Sequence, residues 1–141
     1  MGSDETRELV IDAKVENLDA VNAFVGEVLD PLDCSMKHRM QIDLVVEELF
    51  VNIASYAYGD GQGKATVRGR VQVSPPMVEL VFIDEGTPYN PLEREDPDTS
   101  LPVEERGVGG LGIFLVKKNV DYIAYEHRDG KNILTIRKNL T

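Results

Sequence analysis

The sequence contains a single cysteine, Cys34, and no tryptophan. One thiol forms no intrachain disulfide, so a core and hydrogen bonds must hold the fold. Aromatic residues make up only 6% of the chain, which leaves the core mainly to aliphatic side chains. Basic residues are also scarce: 15 Lys and Arg stand against 25 Asp and Glu, for a formal net charge of -10. Binding nucleic acid requires cations that displace counterions from phosphates, and an anionic bilayer attracts the same cations. The charge argues against both as direct partners and is compatible with a basic protein surface. No apolar run reaches the ~20 residues that span a bilayer, and no secretory leader is visible. The expected location is cytoplasmic.

What is present is ordinary for one globular unit: 141 residues, 42% apolar and 28% charged. A single domain over residues 1–141 is expected. Arg7 to Val15 alternates, with Leu9, Ile11, Ala13 and Val15 on one face, and reads as a half-buried strand. Asn17 is a suitable N-cap for a helix whose Leu18, Val21, Phe24, Val25, Val28 and Leu29 recur at helical spacing before Pro31.

The longest helical pattern runs from Ser35 to about Tyr58. At about 100° per residue, Ile42, Val46, Leu49 and Ile53 form its core stripe. Asp43 and Glu47 fall roughly opposite. Glu48 and Asn52, one turn apart, are neighbours on a third stripe flanked by Leu44, Val45 and Val51. Ala65 to Val73 and Val78 to Ile83 read as a hairpin joined through Pro75-Pro76. Gly109 to Val120 reads as a helix with Leu111, Phe114, Leu115 and Lys118 on one side, and Lys117 and Lys118 suit its C-terminal end. Asp121 to His127 and Asn132 to Lys138 form a last hairpin about Asp129-Gly130.

Three stretches carry chemistry. The first is Glu48-x-x-x-Asn52. The second is Asp84-Glu85-Gly86-Thr87-Pro88, which follows the second strand of the first hairpin directly. The third is Gly107-Val108-Gly109-Gly110-Leu111-Gly112, at the start of the third helix. A strand-end carboxylate such as Asp84 accepts a hydrogen bond from the exocyclic amine of adenine and discriminates against guanine. Gly86 permits close approach of backbone to a base. The side-chain oxygen of Asn52 suits Mg²⁺, which keeps waters and bridges phosphates. Glu48 is placed to orient or deprotonate an attacking hydroxyl or water. The glycines expose N–H groups to phosphates, and the helix that follows adds its positive end.

Between the second and third stretches, about residues 89 to 108, lie Pro91, Pro97 and Pro102 among many acidic residues. Loops of this length in a compact domain are commonly functional, and a lid over the pocket is expected. The glycine cluster is not a Walker loop, because Lys-Ser/Thr does not follow. Nor does it have the strand and spaced acidic residue of a dinucleotide fold.

Taken in order, the three stretches resemble the GHKL ATPase superfamily of gyrase-type ATPases, histidine-kinase catalytic domains and bacterial anti-sigma serine kinases. The resemblance covers about residues 40 to 120. Within the superfamily the chain is most similar to the anti-sigma factor/serine-protein kinases. The residues that carry this are Glu48-Leu49-Phe50-Val51-Asn52-Ile53-Ala54, Asp84-Glu85-Gly86-Thr87-Pro88-Tyr89-Asn90-Pro91 and Gly110-Leu111-Gly112-Ile113-Phe114-Leu115-Val116.

The resemblance implies an α+β two-layer sandwich: a mixed sheet with helices on one face, the histidine-kinase-like ATPase (Bergerat) fold. It implies ATP and Mg²⁺ as ligands, with Glu48 as base and Asn52 as metal ligand. Asp84 and Gly86 would meet adenine, with Thr135 joining Asp84 through water. Gly107, Gly109, Gly110, Leu111 and Gly112 would meet the phosphates. The implied activity is phosphorylation of Ser or Thr on an anti-sigma factor antagonist. A sigma factor is the second implied partner, and a homodimer the implied assembly. Two other readings remain open on sequence: a non-catalytic, nucleotide-gated binding module, and a stand-alone histidine-kinase-type ATPase domain. Neither His38 nor His127 sits in a phospho-acceptor pattern.

Overall fold

The computed structural model describes residues 6–59, 61–93 and 110–141. The elements run β1 (Arg7–Asp12), α1 (Leu18–Leu29), α2 (Met36–Asn52), β2 (Lys64–Gln72), β3 (Met77–Asp84), α3 (Gly110–Asn119), β4 (Tyr122–Arg128) and β5 (Lys131–Asn139). The strands form one five-stranded sheet in the order β1-β2-β3-β5-β4. The fold is the expected α+β layering of helices against one sheet. The sheet, however, is not mixed: every described pairing is antiparallel. The physical reason is the placement of the last hairpin. β4 goes to the outer edge, and β5 folds back between β3 and β4, so β3 and β4, which share a direction, never touch. The turn that allows this has Asp129 at φ 55° and Gly130 at φ 77°, the left-handed pair that matches strand twist.

Alternation decides which face is covered. Ala65, Val67 and Val71 of β2, Val78, Leu80 and Phe82 of β3, and Leu134 and Ile136 of β5 are all buried against the helices. From α1 come Val21, Phe24, Val25, Val28 and Leu29, and from α2 Ile42, Val45, Val46, Leu49 and Phe50. The core stripe expected on α2 is therefore the buried one, whereas Glu47 is exposed. Ser35 caps α2, its hydroxyl accepting the His38 N–H at 3.1 Å.

Three local expectations are corrected. β1 ends at Asp12 rather than Val15, because a 3-10 turn over Val15–Asn17 intervenes and leaves Val15 exposed. Asn17 makes no side-chain cap; its Nδ2 reaches back to the Asp12 carbonyl at 3.0 Å. On α3 the buried residues among those described are Ile113 and Val116, while Phe114 and Leu115 are only partly buried. Lys118 lies over the Phe114 ring at 5.2 Å, outside the core. The carbonyl of Asn119 at the end of α3 accepts from the buried Lys138, 2.7 Å away, whose pKa burial lowers. No helix among the described residues is long and apolar enough to cross a membrane.

The uncovered face of the sheet carries an ionic row. Glu79 accepts from Arg70 Nε at 2.9 Å and from Arg137 Nε at 2.6 Å, and Arg137 stacks on Tyr122 with its guanidinium 4.5 Å from the ring centre. Burial opposes the Glu79 charge, but hydrogen bonds from Arg137 and Arg70 outweigh it and hold the carboxyl below the ordinary glutamate range. A depressed folded-state pKa adds stability above the unfolded pKa and loses it as pH falls through the folded value. Glu79→Gln should therefore lower urea stability near pH 7, by up to about 1 kcal/mol for ion pairs of this exposure. The gap to the parent protein should close as pH falls below the ordinary carboxylate range. A gap that stays constant with pH would show that the Arg pairs add nothing through charge.

Candidate nucleotide site

The site begins where α2 ends. The helix does not continue regularly to Tyr58: Ile53–Ala57 forms one π-helical turn. Such widened turns recur at functional positions because they swing side chains and carbonyls out of helical phase. Here Ile53 and Ala57 stay buried while Tyr56 is exposed. The Ala57 carbonyl, one of those a helix end leaves without an internal partner, accepts the Thr87 N–H at 2.8 Å. Gly86 packs on the same carbonyl so closely that a Cβ at position 86 would overlap it. Glycine is thus required at position 86 by the helix backbone itself. Tyr58 adds a second tie, donating to the Lys64 carbonyl at 2.6 Å and accepting the Glu85 N–H at 2.9 Å.

β3 delivers Asp84 to the same place. It is buried, and alternation puts it on the helix-covered face with Phe82. Its Oδ1 accepts the Gly86 N–H at 2.9 Å and Asn132 Nδ2 at 2.8 Å. Asn132 is the residue directly across on β5. Its Nδ2 also donates to the Thr87 carbonyl at 3.0 Å, and its Oδ1 accepts the Tyr89 N–H at 3.3 Å and the Tyr125 hydroxyl. Asp84, Asn132 and Lys138 are the buried polar side chains among the described residues, and the first two satisfy each other.

Beside this pair lies a cavity of about 560 Å³, a size typical of small-molecule pockets. Leu49, Ile53, Phe82 and Leu134 supply apolar lining, joined by Tyr56, Tyr89, Pro91 and Tyr125. Its convergent polar groups are Asn52, Asp84 and Asn132. A largely apolar cavity with one carboxylate suits a base carrying an exocyclic amine. Glu48, one turn before Asn52, does not line the cavity. Its Oε2 lies against the first turn of α3, where a Cβ on Gly112 would overlap it. Burial first, and the neighbouring Glu47 second, raise the Glu48 pKa above the ordinary value.

The structure therefore brings Asn52 and Asp84 to one cavity and Glu48 to its margin beside Gly112. Gly110, Leu111 and Gly112 form the first turn of α3. Gly107, Gly109 and the expected lid from residue 94 onward lie outside the described residues. Thr135 does not join Asp84. It pairs with Val81, three positions along β3, and period-two alternation turns it to the uncovered face. Asn132 occupies the place expected of it.

Asn132 and Tyr125 were not foreseen. The signal available was the phase of β5: Asn132, Leu134 and Ile136 share one face, so a polar residue begins an otherwise apolar row. No cluster of three or more His, Cys, Asp or Glu able to hold a metal occurs among the described residues. A lone amide oxygen such as that of Asn52 fits a cation that takes most of its ligands from phosphate and water.

Comparison with known proteins gives a consistent neighbourhood. Residues 11–138 match the family model described as histidine kinase-like ATPase domain. The serine/threonine-protein kinase BtrW of Bordetella bronchiseptica is 28% identical over 102 residues, covering 72% of this chain and 71% of that protein. The serine-protein kinase RsbW of Halalkalibacterium halodurans is 25% identical over 130 residues, covering 89% of this chain and 78% of that protein. Among solved structures, the RsbU and RsbW domains of a Mycobacterium tuberculosis protein superpose with a TM-score of 0.66 at 16% identity. That alignment covers 96% of this chain and 32% of the other, and supports the fold.

The packing of Gly86 is open to a direct check. Gly86→Ala should cost about 1–3 kcal/mol in urea unfolding, as overpacking against fixed backbone does. A variant as stable as the parent would show that the Ala57 carbonyl does not fill the space.

Proposed function

The chain belongs to the histidine kinase-like ATPase domain family, and from that premise we propose that it is an ATP-dependent protein serine/threonine kinase. Its substrate on this reading is an anti-sigma factor antagonist. A sigma factor is the second partner on this reading, and a homodimer the assembly. The relatives named serine-protein kinase and serine/threonine-protein kinase support the activity. The resemblance of the Glu48-to-Ala54 and Asp84-to-Pro91 stretches to anti-sigma kinases supports the partners. The single observation that carries the proposal is geometric: Asn52 and Asp84 line one cavity while Glu48 stands one turn away against α3.

On this reading the apolar walls hold adenine, and Asp84 accepts from its amine. Asn52 would hold Mg²⁺, which when bound neutralises charge on the phosphates. The first turn of α3, with Gly110 and Gly112, turns its N–H groups toward them. Gly107 and Gly109 are assigned to the same phosphate contacts, and the segment from about 89 to 108 to the lid. Glu48 takes the proton of the attacking serine hydroxyl as the oxygen bonds to the γ-phosphorus. The β–γ bridging bond breaks and ADP leaves. A raised pKa makes Glu48 a stronger base than an ordinary carboxylate, which suits that task.

Incubation with radiolabelled ATP and an antagonist domain bearing a serine tests the proposal. Acid-stable phosphate should appear on the partner, and Glu48→Ala should slow its appearance about 10²–10⁴-fold with ATP affinity largely kept. Nucleotide binding with no phosphoprotein would replace the kinase by a nucleotide-gated module. Acid-labile phosphate would select a histidine-directed ATPase domain.

The pH profile gives a second check. Glu48 acts deprotonated, so a raised pKa moves the acid-side loss of transfer to higher pH than for an ordinary glutamate. Glu47→Gln removes one cause of the rise and should shift that limb toward lower pH. An unmoved limb would remove Glu48 from the titration.

A further inference from the structure

Building on the adenine assignment, we propose that Asn132 and Tyr125 are positioning residues that set the nucleobase preference of the site by fixing which oxygen of Asp84 faces the ligand. The orientation of the Asn132 amide is dictated by its neighbours. The Tyr89 N–H, 3.3 Å away, can only donate, so it requires the oxygen of the amide. The Thr87 carbonyl, 3.0 Å away, can only accept, so it requires the nitrogen. The Tyr125 hydroxyl donates to the same oxygen as Tyr89 and strengthens the choice.

With the amide fixed, Nδ2 must donate to Asp84 Oδ1 at 2.8 Å, and the Gly86 N–H donates to that oxygen as well at 2.9 Å. Oδ1 is thereby occupied by two donors. The acceptor capacity left on the carboxylate is that of Oδ2, and Asp84 lines the cavity. The site then presents an acceptor to the base, and selects a purine with an amine at position 6 over one with a carbonyl there. Tyr125 has a double place in this: its ring lines the cavity and its hydroxyl locks the amide that holds Asp84.

ATP and ITP probe this chemistry, because ITP has a carbonyl in place of the amine at position 6 and, with it, an N1–H donor where ATP has an acceptor. The experiment is competition of each against a fluorescent ATP analogue on the full chain, for the parent, Tyr125→Phe and Asn132→Ala. The parent should prefer ATP by about 100-fold or more, as sites built around a buried polar partner do. Tyr125→Phe keeps the ring and removes the hydroxyl; it should narrow the preference about tenfold, and Asn132→Ala should narrow it further. A merely structural role would weaken both nucleotides equally and leave the ratio unchanged. An unchanged ratio in both variants, with the parent still selective, overturns the inference alone. A parent that binds neither nucleotide overturns the adenine assignment on which it rests.

Discussion

A carboxylate placed inside an apolar layer must be met by donors, and the Asp84–Asn132 pair is where this fold meets that demand. Leaving a buried acceptor without partners costs about 1–3 kcal/mol or more, so neither strand can shift register without penalty. β3 and β5 are neighbours in the sheet, and their pairing sets Asp84 opposite Asn132. From that one contact the rest of the site follows. The amide of Asn132 gathers Thr87 and Tyr89, the turn they belong to rests on the Ala57 carbonyl, and the end of α2 is held over the cavity. A polar interaction between two strands thus positions a helix that neither strand touches through it.

The electrostatic arrangement divides along the same lines. Asp84 is surrounded by fixed donors, which suits a group that recognises. Glu48 has burial and a like charge beside it, which suits a group that takes a proton. Asp84 in the cavity and Glu48 beside α3 thus differ in what surrounds them, not in their own chemistry. The ionic row of Glu79 with Arg70 and Arg137 lies on the other face of the sheet, where the same residue types pair with one another.

Much of this was legible in the sequence, and the parts that were not have physical reasons. Glu48, Asn52 and Asp84 announce themselves because charged and amide side chains stand at helical or strand-end positions flanked by apolar ones. The α2 core stripe was legible because its apolar residues have a clear period. The buried face of α3 was not: Leu111, Ile113, Phe114, Leu115 and Val116 surround the axis, so no phase stands out. Thr135 was expected beside Asp84, whereas the register between β3 and β5 delivers Asn132 instead. The mixed sheet failed for a similar reason. Strand directions follow from the order of elements, but which strands become neighbours depends on where a hairpin docks.

The π turn at Ile53–Ala57 bears on how this stretch tolerates change in length. A five-residue turn accommodates one residue more than an α-helical register would, so it behaves as an insertion absorbed without breaking the helix. Deleting one residue between Asn52 and Tyr58 would let α2 run on regularly and would remove the widened turn that now presents the Ala57 carbonyl to Thr87 and Gly86. Substituting residues there leaves the count intact. The stretch is therefore constrained by its number of residues as well as by the identity of the buried Ile53 and Ala57.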